Sequence, residues 1–131
     1  MQAECGSVEL LRGLARSASA EEMRRLAEGV GDWESLLQMG LDHRVLPMLY
    51  LRVGDMGPVV PLAVQERLRA EYERNVFHSL ANAAELIAVL KALDREGIRA
   101  MPFKGVVLAA SIYGELAARS AGDLDVLIAY K

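Results

Sequence analysis

Two aspartates, Asp123 and Asp125, stand one residue apart at the head of the apolar run that closes the sequence. Alternate side chains of a β-strand share a face, so a strand here would present both carboxylates on one side, with α-carbons roughly 6.5 Å apart. Two carboxylates at that spacing can bind one Mg²⁺ or bridge two, and a cation would offset their mutual repulsion. The pair predicts a magnesium site, with one alternative: a D-x-D at a strand end whose carboxylates simply face water.

Lys104, Gly105 and Arg119 add cationic and backbone groups upstream of the two aspartates. Gly105 permits close backbone approach, and the helix expected after it offers free N–H groups to a phosphate. Lys104 could contribute a point charge, and Arg119 could donate a fork of hydrogen bonds to phosphate oxygens. A strand, a glycine turn, a helix and a strand with D-x-D together predict a site for a nucleoside triphosphate.

Short helices are predicted for the first half of the chain, from capping residues followed by apolar residues at helical spacing. Ser7, Ser19 and Asp32 are the expected caps at the helix starts, where a serine or aspartate can accept hydrogen bonds from free backbone N–H groups. Pro47 is expected in an early turn of a further helix or at a bend. The first half should therefore be helical.

A long helix is predicted from Leu62 to Arg95, after a glycine- and proline-rich break at residues 54–61. Its apolar residues recur at steps of three and four, which is the period of one helix face. That stripe contains Leu68, Tyr72, Val76, Leu80, Ala83, Ile87 and Leu90, and Leu86, Val89 and Leu93 widen it. The charged residues between them are expected in solvent rather than in a binding patch.

Two short strands are predicted on either side of a short helix near the end of the sequence. Residues 98–103 suit the first strand, residues 106–114 the helix, and residues 123–130 the second strand. On the second strand Leu124, Val126 and Ile128 would point into a core, opposite the aspartates. The predicted fold class is therefore α+β.

Composition narrows the class of protein. The chain has 131 residues, of which 53% are hydrophobic and 25% charged, which suits one globular domain or part of a larger one. A net charge of −3 gives no broad attraction to nucleic acid. Cys5, the single cysteine, cannot form an intrachain disulfide, and no stretch resembles a secretion signal or approaches the length of a membrane span. We therefore expect a cytoplasmic protein with no membrane partner.

The stretch FKGVVLAASIYGELAARSAGDLDVLI, residues 103–128, resembles the signature of the uncharacterised nucleotidyltransferase family, a branch of the DNA polymerase β-like superfamily. Eight residues match its K-G turn, Y-G corner, arginine and D-[IL]-D strand in order: Lys104, Gly105, Tyr113, Gly114, Arg119, Asp123, Leu124 and Asp125. The segment LDHRVLPMLYLRV, residues 41–53, is similar to the family's upstream segment, and the resemblance covers residues 36–128.

The resemblance implies a mixed sheet of the nucleotidyltransferase type, whose opening β-α-β would lie in residues 96–131, after a helical region over residues 1–95. It implies that Asp123 and Asp125 are the catalytic carboxylates and hold Mg²⁺, while the K-G turn and the arginine meet the triphosphate. The implied reaction transfers a nucleoside monophosphate from a nucleoside triphosphate to an acceptor hydroxyl, and neither the acceptor nor the base is identified by the sequence.

The chain departs from the superfamily pattern at two points. The wider superfamily usually has Gly-Ser where this chain has Lys104-Gly105, although K-G agrees with the closer branch. The superfamily's third carboxylate comes from a later strand, and no Asp or Glu follows Asp125. We therefore expect an incomplete or inactive form, either the N-terminal part of a longer protein or a degenerate relative.

Alternatives without catalysis stay open. The chain could be a nucleotide-binding pseudo-enzyme, an antitoxin-like partner of another protein, or a helical interaction module whose D-x-D is a surface accident. A sheet of only two strands would leave edges exposed, so we expect a homo-oligomer or a missing C-terminal half.

Overall fold

The computed structural model describes residues 2–119 and 122–129. Over these ranges the chain is α+β and mostly helical, which confirms the predicted fold class. The helices are α1 (Gln2–Ala15), α2 (Ala20–Glu28), α3 (Trp33–Asp42), α4 (Leu46–Leu51), α5 (Val53–Met56), α6 (Leu62–Arg95) and α7 (Gly105–Leu108), and the strands are β1 (Ala100–Phe103) and β2 (Asp125–Ile128). A 3-10 turn (Gly57–Val59) precedes α6, a π-helical turn (Ala109–Tyr113) continues α7, and a second 3-10 turn (Leu116–Ala118) leads towards β2.

The chain forms two compact units, Met1–Tyr72 and Glu73–Lys131, and α6 contributes residues to both. The predicted domain boundary, between a helical region at residues 1–95 and a β-α-β region at residues 96–131, stays a prediction.

The first unit is a set of short helices around one apolar core. Helix α1 packs against α2 and α3, and α2 packs against α5. The largest fully buried apolar side chains are Leu10, Met23, Leu36, Leu49, Met56, Val60 and Leu68. Because isolated helices of this length are marginal in water, the five short helices are stable together rather than singly.

Two of the predicted helix starts are confirmed by their hydrogen bonds. The hydroxyl of Ser19 accepts from the N–H of Glu22 at 3.2 Å. The carboxylate of Asp32 accepts from the N–H groups of Glu34 at 3.0 Å and Ser35 at 3.2 Å. Each cap satisfies backbone donors that the first helical turn would otherwise leave free.

The prediction that α1 begins at Ser7 was wrong. The helix begins at Gln2, with Glu4 in its first turn, and Ser7 is buried inside it. The Ser7 hydroxyl donates to the carbonyl oxygen of Asp32 at 3.4 Å. A serine within a helix is tolerated when its hydroxyl has a partner, so its capping preference does not stop the helix here. Pro47, by contrast, lies in the first turn of α4 as predicted.

The cap at Asp32 leads to a prediction for stability. The Asp32→Ala variant is expected to unfold with about 1 kcal/mol less free energy, because two N–H groups of α3 lose their acceptor. Urea denaturation followed by circular dichroism measures this loss. The matched control is Asp42→Ala at the other end of α3, where Gln38 donates to an exposed carboxylate at 2.9 Å. Its effect should stay within about 0.5 kcal/mol, and an equal loss in both variants would contradict the capping role.

Helix α6 has the predicted bounds, Leu62–Arg95, but only part of the predicted inner face is buried. Leu80 and Ile87 of the predicted stripe are 57% and 53% exposed. In the second unit the buried residues of α6 are Asn75, Ser79 and Leu86. Leu68 and Leu86 of the predicted stripe are buried as predicted, so the stripe was wrong in part: α6 carries apolar residues on more than one side, and Asn75 and Ser79 belong to the covered face.

Helix α6 is also long and apolar enough to cross a membrane, judged by length and composition alone. Its most apolar window has a hydropathy of 1.4, and 11% of that window is buried. The prediction that no stretch approaches the length of a membrane span was therefore wrong on these two criteria. The core helix of a soluble protein can meet the same two criteria.

The two strands form an antiparallel pair. The register places Ala100 opposite Ile128 and Phe103 opposite Asp125. A mixed sheet of the nucleotidyltransferase type is not confirmed, since the described residues contain only this pair. Strand β2 begins at Asp125, two residues later than predicted, and the end of the predicted strand at Tyr130 lies outside the described residues.

The predicted core face of β2 is only partly covered. Val126 is half-buried, but Ile128 is 62% exposed, so the prediction that it points into a core was wrong. Its strand partner Ala100 has a small side chain and covers little of it. The alternation of a strand assigns a residue to a face, but only a packed neighbour buries that face.

Candidate active site

The strand register brings the K-G turn and the D-x-D to the same end of the sheet. Phe103, the last residue of β1, lies opposite Asp125, the first residue of β2. Directly opposite residues of an antiparallel pair have α-carbons about 4.5–5.5 Å apart and side chains on one face. Lys104 and Gly105 follow Phe103 directly, and Asp123 precedes Asp125 by two residues. Phe103 and Asp125, 22 positions apart in sequence, are therefore neighbours at this sheet end.

The backbone of the K-G turn is strained. Lys104 has φ +60° and ψ −165°, a region that side chains with a Cβ rarely occupy, and Gly105 follows with φ +49°. Holding a residue other than glycine in this region costs about 1–3 kcal/mol. Glycine accepts a positive φ without that cost, which explains why the second position of the turn is Gly105. Strain of this kind is concentrated at ligand sites, and here it lies next to the D-x-D.

The side chain of Lys104 is exposed and its ammonium stands over the ring of Phe103, 5.1 Å from the ring centroid. This cation–π contact keeps the positive charge at the end of β1. Phe103 is the strand partner of Asp125, and Lys104 follows Phe103 directly. The ammonium of Lys104 and the carboxylate of Asp125 therefore lie at the same end of the sheet. An anionic ligand bound together with a metal cation could contact both groups, its anion at the ammonium of Lys104 and its cation at the carboxylate of Asp125.

The two aspartates differ in how they are held. Asp125 is half-buried and belongs to the strand ladder, whereas Asp123 is exposed and precedes the strand. The prediction that both carboxylates share a strand face requires the strand to begin at Asp123. Strand β2 begins at Asp125, so the strand alternation does not extend to Asp123. Asp125 is presented by a fixed backbone and Asp123 by the segment that leads into it.

The donor set suits magnesium only together with a ligand. Within residues 2–119 and 122–129, no three His, Cys, Asp or Glu side chains gather at one place. Mg²⁺ usually keeps several waters and is held by one or two carboxylates plus substrate phosphates, rather than by a complete protein cage. Asp123 and Asp125 fit that pattern if a polyphosphate supplies the remaining oxygens. By themselves the two aspartates supply too few ligands for a structural metal site, in which protein side chains complete the coordination.

Arg119 is exposed, and its backbone is anchored to α6. The Asn75 amide donates to the carbonyl oxygen of Ala117 at 2.7 Å and to that of Arg119 at 3.3 Å. Glu115 closes the same turn, since its carboxylate accepts from the N–H of Ala117 at 3.3 Å and its carbonyl from the N–H of Ala118 at 3.2 Å. The segment before the D-x-D is thus attached to the long helix by one buried amide.

Sequence reasoning missed Asn75. It lies beside the predicted apolar stripe, between Tyr72 and Val76, where the stripe itself predicts no buried residue. A signal was present, since Asn75 and Ser79 are four residues apart and so share a helix face. Two polar residues on one helix face can equally face solvent, so it is their burial that identifies this face as covered and in need of hydrogen-bond partners.

The five predicted site residues are therefore placed by two different means. The strand register brings together Lys104, Gly105 and Asp125, with Asp123 just ahead of the strand. Arg119 is positioned through the contact of its own backbone with α6. Among the described residues, no ion pair links its side chain to the lysine or the aspartates.

A family model described as uncharacterised nucleotidyltransferase matches residues 30–131. The match spans α3 to β2 and includes all five predicted site residues. No curated protein and no solved structure matches the chain.

Proposed function

The chain belongs to the uncharacterised nucleotidyltransferase family, and on that premise we propose that it binds a magnesium–nucleoside triphosphate complex at the end of the β1–β2 sheet. The observation that carries the proposal is the register that sets Phe103 opposite Asp125. That pairing joins the two motifs of the site, which are separated along the chain, at one place. The strained turn at Lys104 and Gly105 lies at the same place.

Each site residue has a role that follows from its chemistry. Asp123 and Asp125 would hold Mg²⁺, which lowers the electrostatic cost of bringing a polyphosphate next to carboxylates. Lys104 offers a point charge to a phosphate oxygen, and Arg119 offers two parallel donors. Gly105, without a side chain, lets a phosphate approach the backbone of the turn.

The proposed reaction is the transfer of a nucleoside monophosphate to a hydroxyl. The acceptor oxygen forms a bond to the α-phosphorus, the bond from that phosphorus to the bridging oxygen of the β-phosphate breaks, and pyrophosphate leaves. The hydroxyl proton passes to a base, a role that the resemblance gives to a third carboxylate of the superfamily. This chain's own residues would bind and orient the triphosphate for in-line attack.

A second candidate is nucleotide binding without transfer. It is favoured by the finding that, in the part of the chain that the structure describes, no third acidic side chain joins Asp123 and Asp125. Incubation with a labelled nucleoside triphosphate and detection of labelled protein, small molecule or nucleic acid separates the two. A labelled product supports transfer, and binding without any product supports the second candidate.

The binding proposal is tested by thermal unfolding with ATP, GTP, CTP and UTP in the presence of Mg²⁺. At least one nucleotide should raise the melting temperature by several degrees, since ligand at 100 times its Kd stabilises by about 2.7 kcal/mol. EDTA should abolish the rise, and so should the double variant Asp123→Asn with Asp125→Asn. The proposal fails if none of the four nucleotides shifts unfolding, or if the double variant responds like the wild type.

A further inference from the structure

We infer that Asn75 is a positioning residue of this site, whose buried amide holds the backbone of Arg119 so that the guanidinium can meet the triphosphate. The inference rests on the proposed function and deepens it. Asn75 is 7% exposed, and its side-chain nitrogen reaches two carbonyl oxygens, at Ala117 (2.7 Å) and Arg119 (3.3 Å). A side-chain amide nitrogen carries two N–H donors, so it can serve both carbonyls at once.

The segment that Asn75 holds is short and has little regular structure of its own. It is a single 3-10 turn, Leu116–Ala118, after which Arg119 is extended with φ −125° and ψ 135°. Ala117 and Ala118 are buried, but a methyl group makes few van der Waals contacts and so does little to fix the position of the turn. The turn's own hydrogen bonds run to Glu115 within the turn. Two hydrogen bonds from Asn75 join this backbone to α6.

A polar residue is a costly choice for this position if packing is the sole requirement. A buried amide without partners loses about 1–3 kcal/mol, and a hydrogen-bonded one gains only modestly over an apolar residue. An alanine or leucine could fill space against two alanines. What the amide adds is direction, because it fixes carbonyls on both sides of the peptide that leads into Arg119. The two-pronged contact of an arginine with phosphate has a defined geometry, and a backbone held in place at Arg119 favours it.

The test uses the full chain and the substitution Asn75→Asp, which keeps the shape, removes both donors and sets carboxylate oxygens against two carbonyls. We expect the affinity for the magnesium–nucleotide complex to fall about tenfold, the order of one lost buried hydrogen bond. The amides of Ala117 and Ala118 should also exchange hydrogen faster. Asn75→Ala is the second variant, since it adds no charge and keeps the test available if Asn75→Asp does not fold.

Two comparisons separate positioning from a purely structural role. Ala84→Asp places the same charge on an exposed position of α6 and should leave both affinity and exchange unchanged. In an Arg119→Ala background, the Asn75 substitutions should cause little further loss of affinity, because they act through Arg119. Additive losses in this double-mutant cycle would overturn the inference, and so would unchanged exchange at Ala117 and Ala118.

The failure of the proposed function would look different. If the wild-type chain binds none of the four nucleotides, the triphosphate role of Arg119 fails, and the positioning role of Asn75 fails with it. Faster exchange at Ala117 and Ala118 in Asn75→Asp would then show that the amide only anchors the turn. If the wild type binds and the cycle is additive, the proposed function stands and the role of Asn75 is rejected.

Discussion

The Asp125→Asn variant is expected to bind the magnesium–nucleotide complex at least about 100-fold more weakly than the wild-type chain, since even residues that only support a metal ligand are worth 10–100-fold. An amide has the shape of the carboxylate without the charge that Mg²⁺ prefers. Asp125 is half-buried in the strand ladder opposite Phe103, which limits the movement of its backbone. Asp123 is exposed ahead of the strand, and its substitution by asparagine should cost less.

Calorimetric titration with the nucleotide that gives the largest thermal shift, at fixed Mg²⁺, measures both losses. Asp94→Asn is the matched control, because Asp94 is an exposed carboxylate of the same unit outside the site, near the end of α6. It should bind as the wild type does. A larger loss at Asp123 than at Asp125 would mean that the strand register does not decide which carboxylate matters. No loss at Asp125 would remove it from the site.

The Gly6→Ala variant is expected to destabilise the first unit by about 3 kcal/mol, at the upper end of the usual cost of overpacking. A Cβ at Gly6 would lie 2.0 Å from the carbonyl oxygen of Gly29 and 2.8 Å from its carbonyl carbon. These are backbone atoms at the end of α2, so they cannot rotate away as the tip of a side chain would. Helix α1 would have to move off α2, and the core beneath Leu10 would open.

Chemical denaturation measures the change, and Gly54→Ala provides the matched control. A Cβ at Gly54 meets nothing within 4 Å, and Gly54 lies inside α5. That variant should be as stable as the wild type or more stable by about 0.5–1 kcal/mol, since alanine favours a helix over glycine. If Gly6→Ala unfolds with the same free energy as Gly54→Ala, the close approach of α1 to Gly29 is wrong.

Much of the local structure was predictable from the sequence, because it depends on interactions within a turn or two. Ser19 and Asp32 cap helices because their oxygens reach N–H groups two or three residues ahead. The bounds of α6 follow from a break rich in glycine and proline and from a long helical period. Ser7 shows the limit of such reasoning, because its hydroxyl found a partner 25 residues away and the helix continued through it.

The sequence by itself determined the class of the fold, the family and the residue types of the candidate site. Matching motif order was enough for that, since the K-G turn, the arginine and the D-x-D retain their order along the chain. It also determined that α6 is a single long helix with an apolar stripe. These features depend on residue identity and spacing, which act through local propensity and period.

Only the tertiary structure decided which face of α6 is covered and which residues meet at the sheet end. Asn75 and Ser79 are buried while Leu80 is exposed, although hydrophobicity alone would rank them the other way. The pairing of Phe103 with Asp125 likewise depends on how two distant segments align, and a shift of one residue would turn Asp125 to the other face. Contacts between segments far apart in sequence set the phase of a helix and the register of a strand, and neither is encoded within the few residues that form the helix or the strand.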